Sequence, residues 1–415
     1  MGQLSPPDPR IAPAVLAVDR ALAWYIREVP LADQQPPVSL AQAERLRESL
    51  AGARPFAAED FEILVTLART MYRFGQLDSS VPPVNLGDML TTVSQVPQPG
   101  EVPWTFDTRI DRDAFSKLQF RDTSVGIGKS QRENREGWWS HAQKNRAFIE
   151  EAARQTQGRG LAVVLGAGHA FDLPLVELAK AFEKLVLVDI DADALEAAVT
   201  GALKDPGLRA RAELRLLDLT GVNGQLVSRI DEAVASAADA AEARDRLEAL
   251  CWTYRLPSPR LLPPDERADL LVSSCVLSQV SWPQRVYARR VYERRFSSVP
   301  GPLERTWARH FTYLELRLQQ DHLTSLAGVA ERVALTCDVV NNPTVLDASG
   351  TERKSGQTIL ALGVPSLLER VPKVFAVQGH GSWEWGFSKA TRSRNGSRKD
   401  VEGARLAPPQ GPSDR

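Results

Sequence analysis

The chain has 415 residues, of which 43% are hydrophobic and 25% charged, with a formal net charge of −1. These are the proportions of an ordinary globular protein long enough to bury its own core, and the near-zero charge excludes a global field that would recruit nucleic acid or an anionic membrane. Three separated cysteines (Cys251, Cys275, Cys337) and five histidines without ligand spacing suggest neither a disulfide framework nor a metal site.

The opening stretch MGQLSPPDPR has no apolar core, and no window holds 18 clean apolar residues, so a reduced, cytoplasmic protein with no membrane span is expected. Apolar residues recur at helical spacing from Ile11 to Ile26. VSLAQAERLRESLAG offers Ser39 as an N-cap and Gly52 as a stop, and AAEDFEILVTLARTMYRFG reads as a third helix. Residues 1–105 are therefore expected to be a helical region ending in the Pro-rich connection TVSQVPQPGEVPW. Residues 106–160 begin irregularly and end in a helix, AQKNRAFIEEAARQTQGRG; they read as a connecting or lid segment.

From Leu161 the pattern is regular. LAVVLG, LVLVDI, AELRLLDLT, ADLLVSSCV and RVALTCDVV are short apolar strands with helical stretches between them. Asp172 is the expected N-cap of the first of these helices, with Pro174 in its first turn. Residues 225–250 and 302–330 read as two long helices. The segment KVFAVQGHGSWEWGF suggests two short strands around GHGS. Such alternation predicts an α/β fold with a doubly wound, mostly parallel sheet across residues 161–389. Residues 390–415, rich in Gly, Ser, Pro and charge, are expected to be a disordered tail.

Gly166 and Gly168 follow the first strand, where glycine permits a tight turn and close backbone approach to a ligand. Asp189 closes the second strand, where a carboxylate can accept hydrogen bonds from ribose hydroxyls. A dinucleotide fingerprint would need a third glycine at Phe171, and the loop runs on to Asp172 before the helix begins, which weakens a phosphate site.

On the pieces VVLGAGHA, LVLVDID, LRLLDLT and ADLLVSSCVLSQV, in that order, residues 161–389 resemble a class I S-adenosylmethionine-dependent methyltransferase. The resemblance implies a terminal antiparallel hairpin and S-adenosylmethionine as cofactor. It implies that Gly166, Ala167 and Gly168 line the methionine and ribose part, with His169 and Asp172 in the same loop. Asp189 with Ile190 would hold the ribose, Asp218 with Leu219 would reach the adenine edge, and Ser274 and Cys275 would lie near the reactive end. Two positions depart from the family's pattern: its usual acid before the first glycine is Val164 here, and its third glycine is Ala170.

No acceptor motif follows the fourth strand. Gln279 is a candidate for orienting an acceptor and His141, in REGWWSHAQKNR, a candidate base beneath a lid that includes Arg135, Trp138 and Trp139; the tryptophans equally suit anchoring that segment to the core. WPQRVYARRVYERRF is either an anion- or RNA-attracting helix or, the favoured reading, an arginine-rich face with its Val and Tyr residues turned inward. A small-molecule acceptor is expected. A catalytically silent methyltransferase-like module and an NAD-dependent oxidoreductase stand as alternatives.

Overall fold

The structure, a computed structural model, describes residues 38–50, 63, 104–254, 256, 260–263, 265–280, 282–296, 301–355, 359–360, 366–369, 371, 374–391 and 395–408. The helix expected over 9–28 lies outside the described residues, and of that expected over 57–75 only Ile63 is described, helical and buried. The chain falls into two compact units, Met1–Trp104 with Trp252–Leu256, and Thr105–Cys251 with Pro257–Arg415.

In the first unit, α1 (Leu40–Leu50) starts where its sequence says it should. Ser39 Oγ accepts from the Gln42 backbone N–H at 3.3 Å and Gln42 Oε1 accepts from the Ser39 N–H at 2.8 Å, a reciprocal capping box. Ala43 and Leu46, three apart, are buried on one face. Trp104 meets Tyr254 edge-on at 4.9 Å.

The second unit opens with three helices where the sequence looked irregular: α2 (Arg112–Lys117), α3 (Phe120–Glu133) and α4 (Arg135–Gln155). Asp111 caps α2 through the Ala114 N–H at 3.0 Å. The buried positions of α4, including Trp138, His141, Asn145, Phe148, Ile149 and Ala152, recur every three to four residues, so the helix begins seven residues before the apolar run that signals it.

Alternation then proceeds as β1 (Leu161–Leu165), α5 (Leu175–Ala181), β2 (Lys184–Asp189), α6 (Ala192–Ala202), α7 (Pro206–Arg209), β3 (Ala212–Leu216), α8 (Asn223–Ala235), α9 (Ala240–Thr253), β4 (Ala268–Ser274), α10 (Trp282–Phe296), α11 (Gly301–Ser325) and β5 (Ala330–Leu346). The single Ala-rich helix expected over 225–250 is two helices, α8 and α9. Short antiparallel strands β6 (Glu352–Lys354) and β7 (Ile359–Leu360) pair with β5, and β8 (Ala376–Ser388) and β9 (Gly396–Ala407) complete the sheet.

The sheet order is β3-β2-β1-β4-β5-β9-β8. Strands β1 to β5 pair in parallel, while β9 runs antiparallel to both β5 and β8. Both faces of β1 are buried, which explains its continuous apolar run. Ala162 and Val164 pack with Leu178 of α5, Leu195 of α6 and Ile149 of α4. Val163 and Leu165 pack on the opposite face with Leu323 of α11. Helices on both faces of a mostly parallel sheet make the unit a doubly wound α/β fold.

Two expectations near the C-terminus are corrected. GHGS is no turn: Gly379–Ser382 lies inside the continuous strand β8. The expected disordered tail contains β9, which is hydrogen-bonded on both sides. Its residues Val401, Ala404 and Leu406 are fully buried, packing into cores on its two faces. Gly403 is where Phe148 of α4 packs onto the strand, since a Cβ there would lie 2.8 Å from the ring. The glycines that read as flexibility serve close packing.

Beneath β4, His322 of α11 is buried, its Nε2 2.9 Å from Ser273 Oγ. Burial pushes its pKa down to about 4. The unfolded side chain titrates near 6.5, so between these values the unfolded chain holds one proton more. That part of the stability is full above pH 6.5 and is lost as the pH falls toward 4, by about 3 kcal/mol in all. Denaturation midpoints of His322→Gln are expected to lack this segment of acid sensitivity; an identical pH slope in the two proteins would refute the assignment. No helix among the described residues is long and apolar enough to cross a membrane.

Candidate functional site

At the carboxyl ends of the parallel strands a cleft of about 1090 Å³ opens, the usual ligand position where a doubly wound sheet changes winding direction. Gly166, Ala167, Gly168, His169, Asp172, Asp189, Ile190, Asp218, Leu219, Ser274, Cys275 and Gln279 all line it; His141 does not. The sequence scatters these twelve positions over more than a hundred residues, and the strand order brings them together.

The floor is strained backbone. Gly166 (φ 65°), Gly168 (φ 46°), Ala170 (φ 54°), Cys275 (φ 55°) and Gln119 (φ 56°) are all left-handed and all face the cleft. For Ala170, Cys275 and Gln119 this conformation costs about 1–2 kcal/mol each, and strain of this kind gathers at functional sites. Gly166 is needed twice over, since a Cβ there would collide with Val276 Cγ2. Ala170, where the family has glycine, adopts the backbone that favours glycine.

Asp189 ties the loop to the end of β2. Its Oδ2 accepts from the Gly168 N–H at 2.8 Å and its Oδ1 from the Asp191 N–H at 3.0 Å. Burial pushes its carboxyl up, and these N–H bonds oppose the shift. The Ile190 N–H also bears on this carboxylate, which leaves an acceptor position for a ribose hydroxyl. Capping of α6 falls instead to Asp191, which accepts from the Asp193 and Ala194 N–H groups at 3.1 and 3.3 Å.

Asp172 is not the expected helix cap. Helix α5 starts at Leu175 with Pro174 as its cap and no side-chain hydrogen bond. The Asp172 Oδ2 instead takes Asn145 Nδ2 at 2.8 Å, His141 Nε2 at 3.2 Å and Ser274 Oγ at 3.3 Å. Burial works against its charge, but the hydrogen bonds it accepts from His141 and Ser274 help hold the carboxyl below its ordinary value. The glycine loop thus ends in an ionised carboxylate rather than a bare helix N-terminus.

The same network corrects His141 as a base. Trp383 Nε1 donates to His141 Nδ1 at 3.0 Å. A tryptophan N–H only donates, so Nδ1 is unprotonated and Nε2 carries the proton given to Asp172. Both nitrogens are engaged, and the ring is fully buried, stacked on Trp385 at 4.1 Å. Among the described residues His141, Asp172 and Cys275 place possible ligand atoms within 4.8 Å of one another. A protonated Nε2 cannot ligate, and burial first, then Asp172 and Asp338, push the Cys275 thiol well up; the trio suits a hydrogen-bond network, not a cation.

Asp218 lines the cleft, and its carboxylate also organises the loop behind it. It accepts from Thr220 N at 2.9 Å, Thr220 Oγ1 at 2.7 Å, Asn223 N at 2.9 Å and Asn223 Nδ2 at 2.8 Å. Three of these bonds fall on Oδ1 and one on Oδ2, so the side chain shapes the loop after β3 while Oδ2 keeps an acceptor position. The Gln279 amide donates to the Cys275 carbonyl at 2.9 Å, closing the turn after β4 while its side chain lines the cleft.

Over the cleft lies α3, whose Thr123, Ser124, Gly126, Ile127 and Ser130 form its outer wall. Ser124 Oγ meets His169 Nε2 at 3.0 Å, joining this helix to the glycine loop. Trp138 lines the cleft and packs against Trp385 and Phe387 of β8, whereas Trp139 is 59% exposed. Sequence reasoning missed α3, Asp338, Trp385, Phe387 and Lys399. Asp338 left a signal, an acid within the apolar run ALTCDVV; Lys399 left none inside a segment that reads as tail.

Four of the five arginines of α10 bond within the fold. Arg289 pairs with Glu293 at 2.7 Å, Arg285 with Glu315 at 3.8 Å, Arg290 donates to the Lys117 carbonyl and Arg295 to that of Ala237 at 2.9 Å. Tyr287 and Tyr292 are buried.

Five parallel strands in the order 3-2-1-4-5, an antiparallel β9 between β5 and β8, a glycine loop after β1 and an acid closing β2 leave one architecture. The fold is that of the class I methyltransferases. No protein-family model and no curated protein sequence matches the chain. Among solved structures, an S-adenosylmethionine-dependent methyltransferase from Clostridium acetobutylicum aligns at 8% identity and TM-score 0.31, covering 65% of this chain and 92% of its own. The glycopeptide N-methyltransferase MtfA, complexed with S-adenosylmethionine, aligns at 13% identity and TM-score 0.30, covering 64% and 94%. The methyltransferase CcbJ from Streptomyces caelestis aligns at 9% and 0.31, covering 64% and 95%. Strand order, not these alignments, decides the fold.

Proposed function

We propose that this chain is an S-adenosylmethionine-dependent methyltransferase acting on a small-molecule acceptor. The observation that carries this is the Asp172 carboxylate at the end of the glycine loop. A dinucleotide puts its pyrophosphate against such a loop and needs helix N–H groups there; an ionised acid repels it. S-adenosylmethionine carries no phosphate and has an ammonium and a sulfonium, both of which a carboxylate favours.

Gly166 and Gly168 let the backbone approach the ligand, Asp189 offers its remaining acceptor position to the ribose, and Asp172 with Ser274 supplies the polarity absent at Val164. The cofactor supplies an electrophilic methyl group when bound. The chain's own contribution is positioning, through a rigid floor and the α3 wall, and exclusion of water. A small acceptor is favoured by the size of the cleft, which suits a cofactor and one small partner, and by the engagement of four of the five α10 arginines within the fold.

Calorimetric titration with S-adenosylmethionine, S-adenosylhomocysteine and NAD tests this. Both sulfur ligands are expected to bind at about micromolar dissociation constants or tighter, with no heat from NAD. Binding of NAD with silence from the other two would overturn the proposal in favour of an oxidoreductase; silence from all three would leave a module without a cofactor.

A further inference from the structure

Beyond the glycine loop the cleft is lined by Ser278, Asp338, Asn341, Trp385, Phe387 and Lys399. Asp338 on β5 and Lys399 on β9 form an ion pair there, with Nζ 2.7 Å from Oδ2. Asp338 is 4% exposed. The other carboxylate oxygen accepts from the Ser278 hydroxyl. The ammonium lies over the Phe387 ring at 4.4 Å and the Trp385 ring at 5.1 Å. The pairing of β5 with β9 slips between Asp338 and Val340, the kind of bulge that re-aims a side chain beside a site.

Burying such a pair returns little stability, because the desolvation of both ions consumes the attraction between them. Its location offers a different reason for it. Ser278 Oγ is 3.5 Å from the Cys275 carbonyl, so the pair adjoins the exit of β4, the reactive end of a cofactor held by Asp189 and the glycine loop. The Cys275 thiol confirms the proximity, since both Asp172 and Asp338 act on it electrostatically.

Resting on the methyltransferase reading above, we propose that Asp338 faces the transferable methyl group, placed to take the proton of an N–H or O–H acceptor, with Lys399 and Ser278 as its positioning residues. In the step, the acceptor's nitrogen or oxygen forms a bond to the methyl carbon. The sulfur–methyl bond breaks and its electron pair stays on sulfur. The acceptor's proton passes to Asp338 and then to solvent. The acceptor is thus a nucleophile that bears a proton to lose, not a thioether.

This is tested without the acceptor, by the ratio of affinities for S-adenosylmethionine and S-adenosylhomocysteine in the full-length protein. The two differ by the methyl group and the positive charge on sulfur. A carboxylate facing that charge favours the first ligand selectively. Asp338→Asn is expected to lower the ratio about tenfold and Lys399→Met to raise it by a similar factor, with S-adenosylhomocysteine affinity within about twofold of wild type. The double variant D338N/K399M leaves no lone buried ion and guards against misfolding of either single change. It is expected to lower the ratio by a smaller factor, because Asp338 is the nearer charge. An unchanged ratio in the folded variants, or parallel weakening of both ligands, overturns the proposal. Failure of the wild type to bind either ligand overturns the methyltransferase reading instead, before any variant is compared.

Discussion

Asp189→Ala loses about a hundredfold in affinity for S-adenosylmethionine while the second unit stays folded. A ribose hydroxyl donating to a carboxylate makes a charge-assisted hydrogen bond, contributing about 1.5–3 kcal/mol. Removing the carboxylate also releases the Gly168 N–H at 2.8 Å and so loosens the loop the ligand rests on. The stability cost is expected to be small by comparison, because burial already opposes the charge on this group and pushes its carboxyl up. Asp189→Asn refines the result. It keeps the volume but presents a donor where one of the backbone N–H groups now points, so it should lose affinity while its melting temperature falls more than that of the alanine variant. Calorimetry for affinity and a melting curve for folding separate the effects. A folded alanine variant that binds like wild type would remove Asp189 from the ribose site.

Trp138→Ala carries the largest expected stability loss, about 3–5 kcal/mol for a buried tryptophan. Its Nε1 donates to the Phe387 carbonyl at 2.9 Å. Its ring meets Trp385 edge-on at 4.7 Å and Phe387 at 5.5 Å, so one side chain fastens α4 to β8. Edge-to-face pairs of this kind add about 0.5–1.5 kcal/mol beyond the area they bury. The change would also open the cleft wall between Phe171 and Trp385. Trp139→Ala is the internal control, since Trp139 is mostly exposed and surface changes stay within about 0.5 kcal/mol. Urea denaturation of the two variants decides the matter. Equal losses would mean that the aromatic wall does not hold α4 to the sheet.

The legible part of this protein was the part with local, periodic causes. Strands β1, β2 and β4 are buried on both faces, so each is a short apolar run that needs no partner to be recognised. The capping box of α1 is written in four consecutive residues. Gly166, Gly168 and Asp189 announce themselves because a turn without a Cβ and an acid at a strand end leave a spacing of their own. Asp172 was legible as a polar group at the end of the glycine loop, but not in its role. Its sequence position before Pro174 suggests a cap, and only the approach of α4, 27 residues upstream at Asn145 and 31 at His141, turns the carboxylate inward.

The errors share one cause. Gly379, Gly381 and Gly403 look like breakers in a polar context, and in the fold they make room for Arg405 and Phe148. A strand held by neighbours on both sides needs few apolar residues of its own, so β9 resembled a tail. His141 looked like a base because a histidine shows its ordinary chemistry in a sequence, and the Trp383 N–H that occupies its lone pair comes from 242 residues away.

The sequence by itself determined the doubly wound α/β class, the glycine loop and the acid beside it, because hydrophobic period and backbone freedom are local properties. The tertiary structure decided which carboxylates still have lone pairs to offer, which histidine nitrogen holds a proton, and that Asp338 and Lys399 meet at one end of the cleft. Those are questions of which donor sits opposite which acceptor. Only the pairing of distant strands and the packing of α4 against β8 settle them.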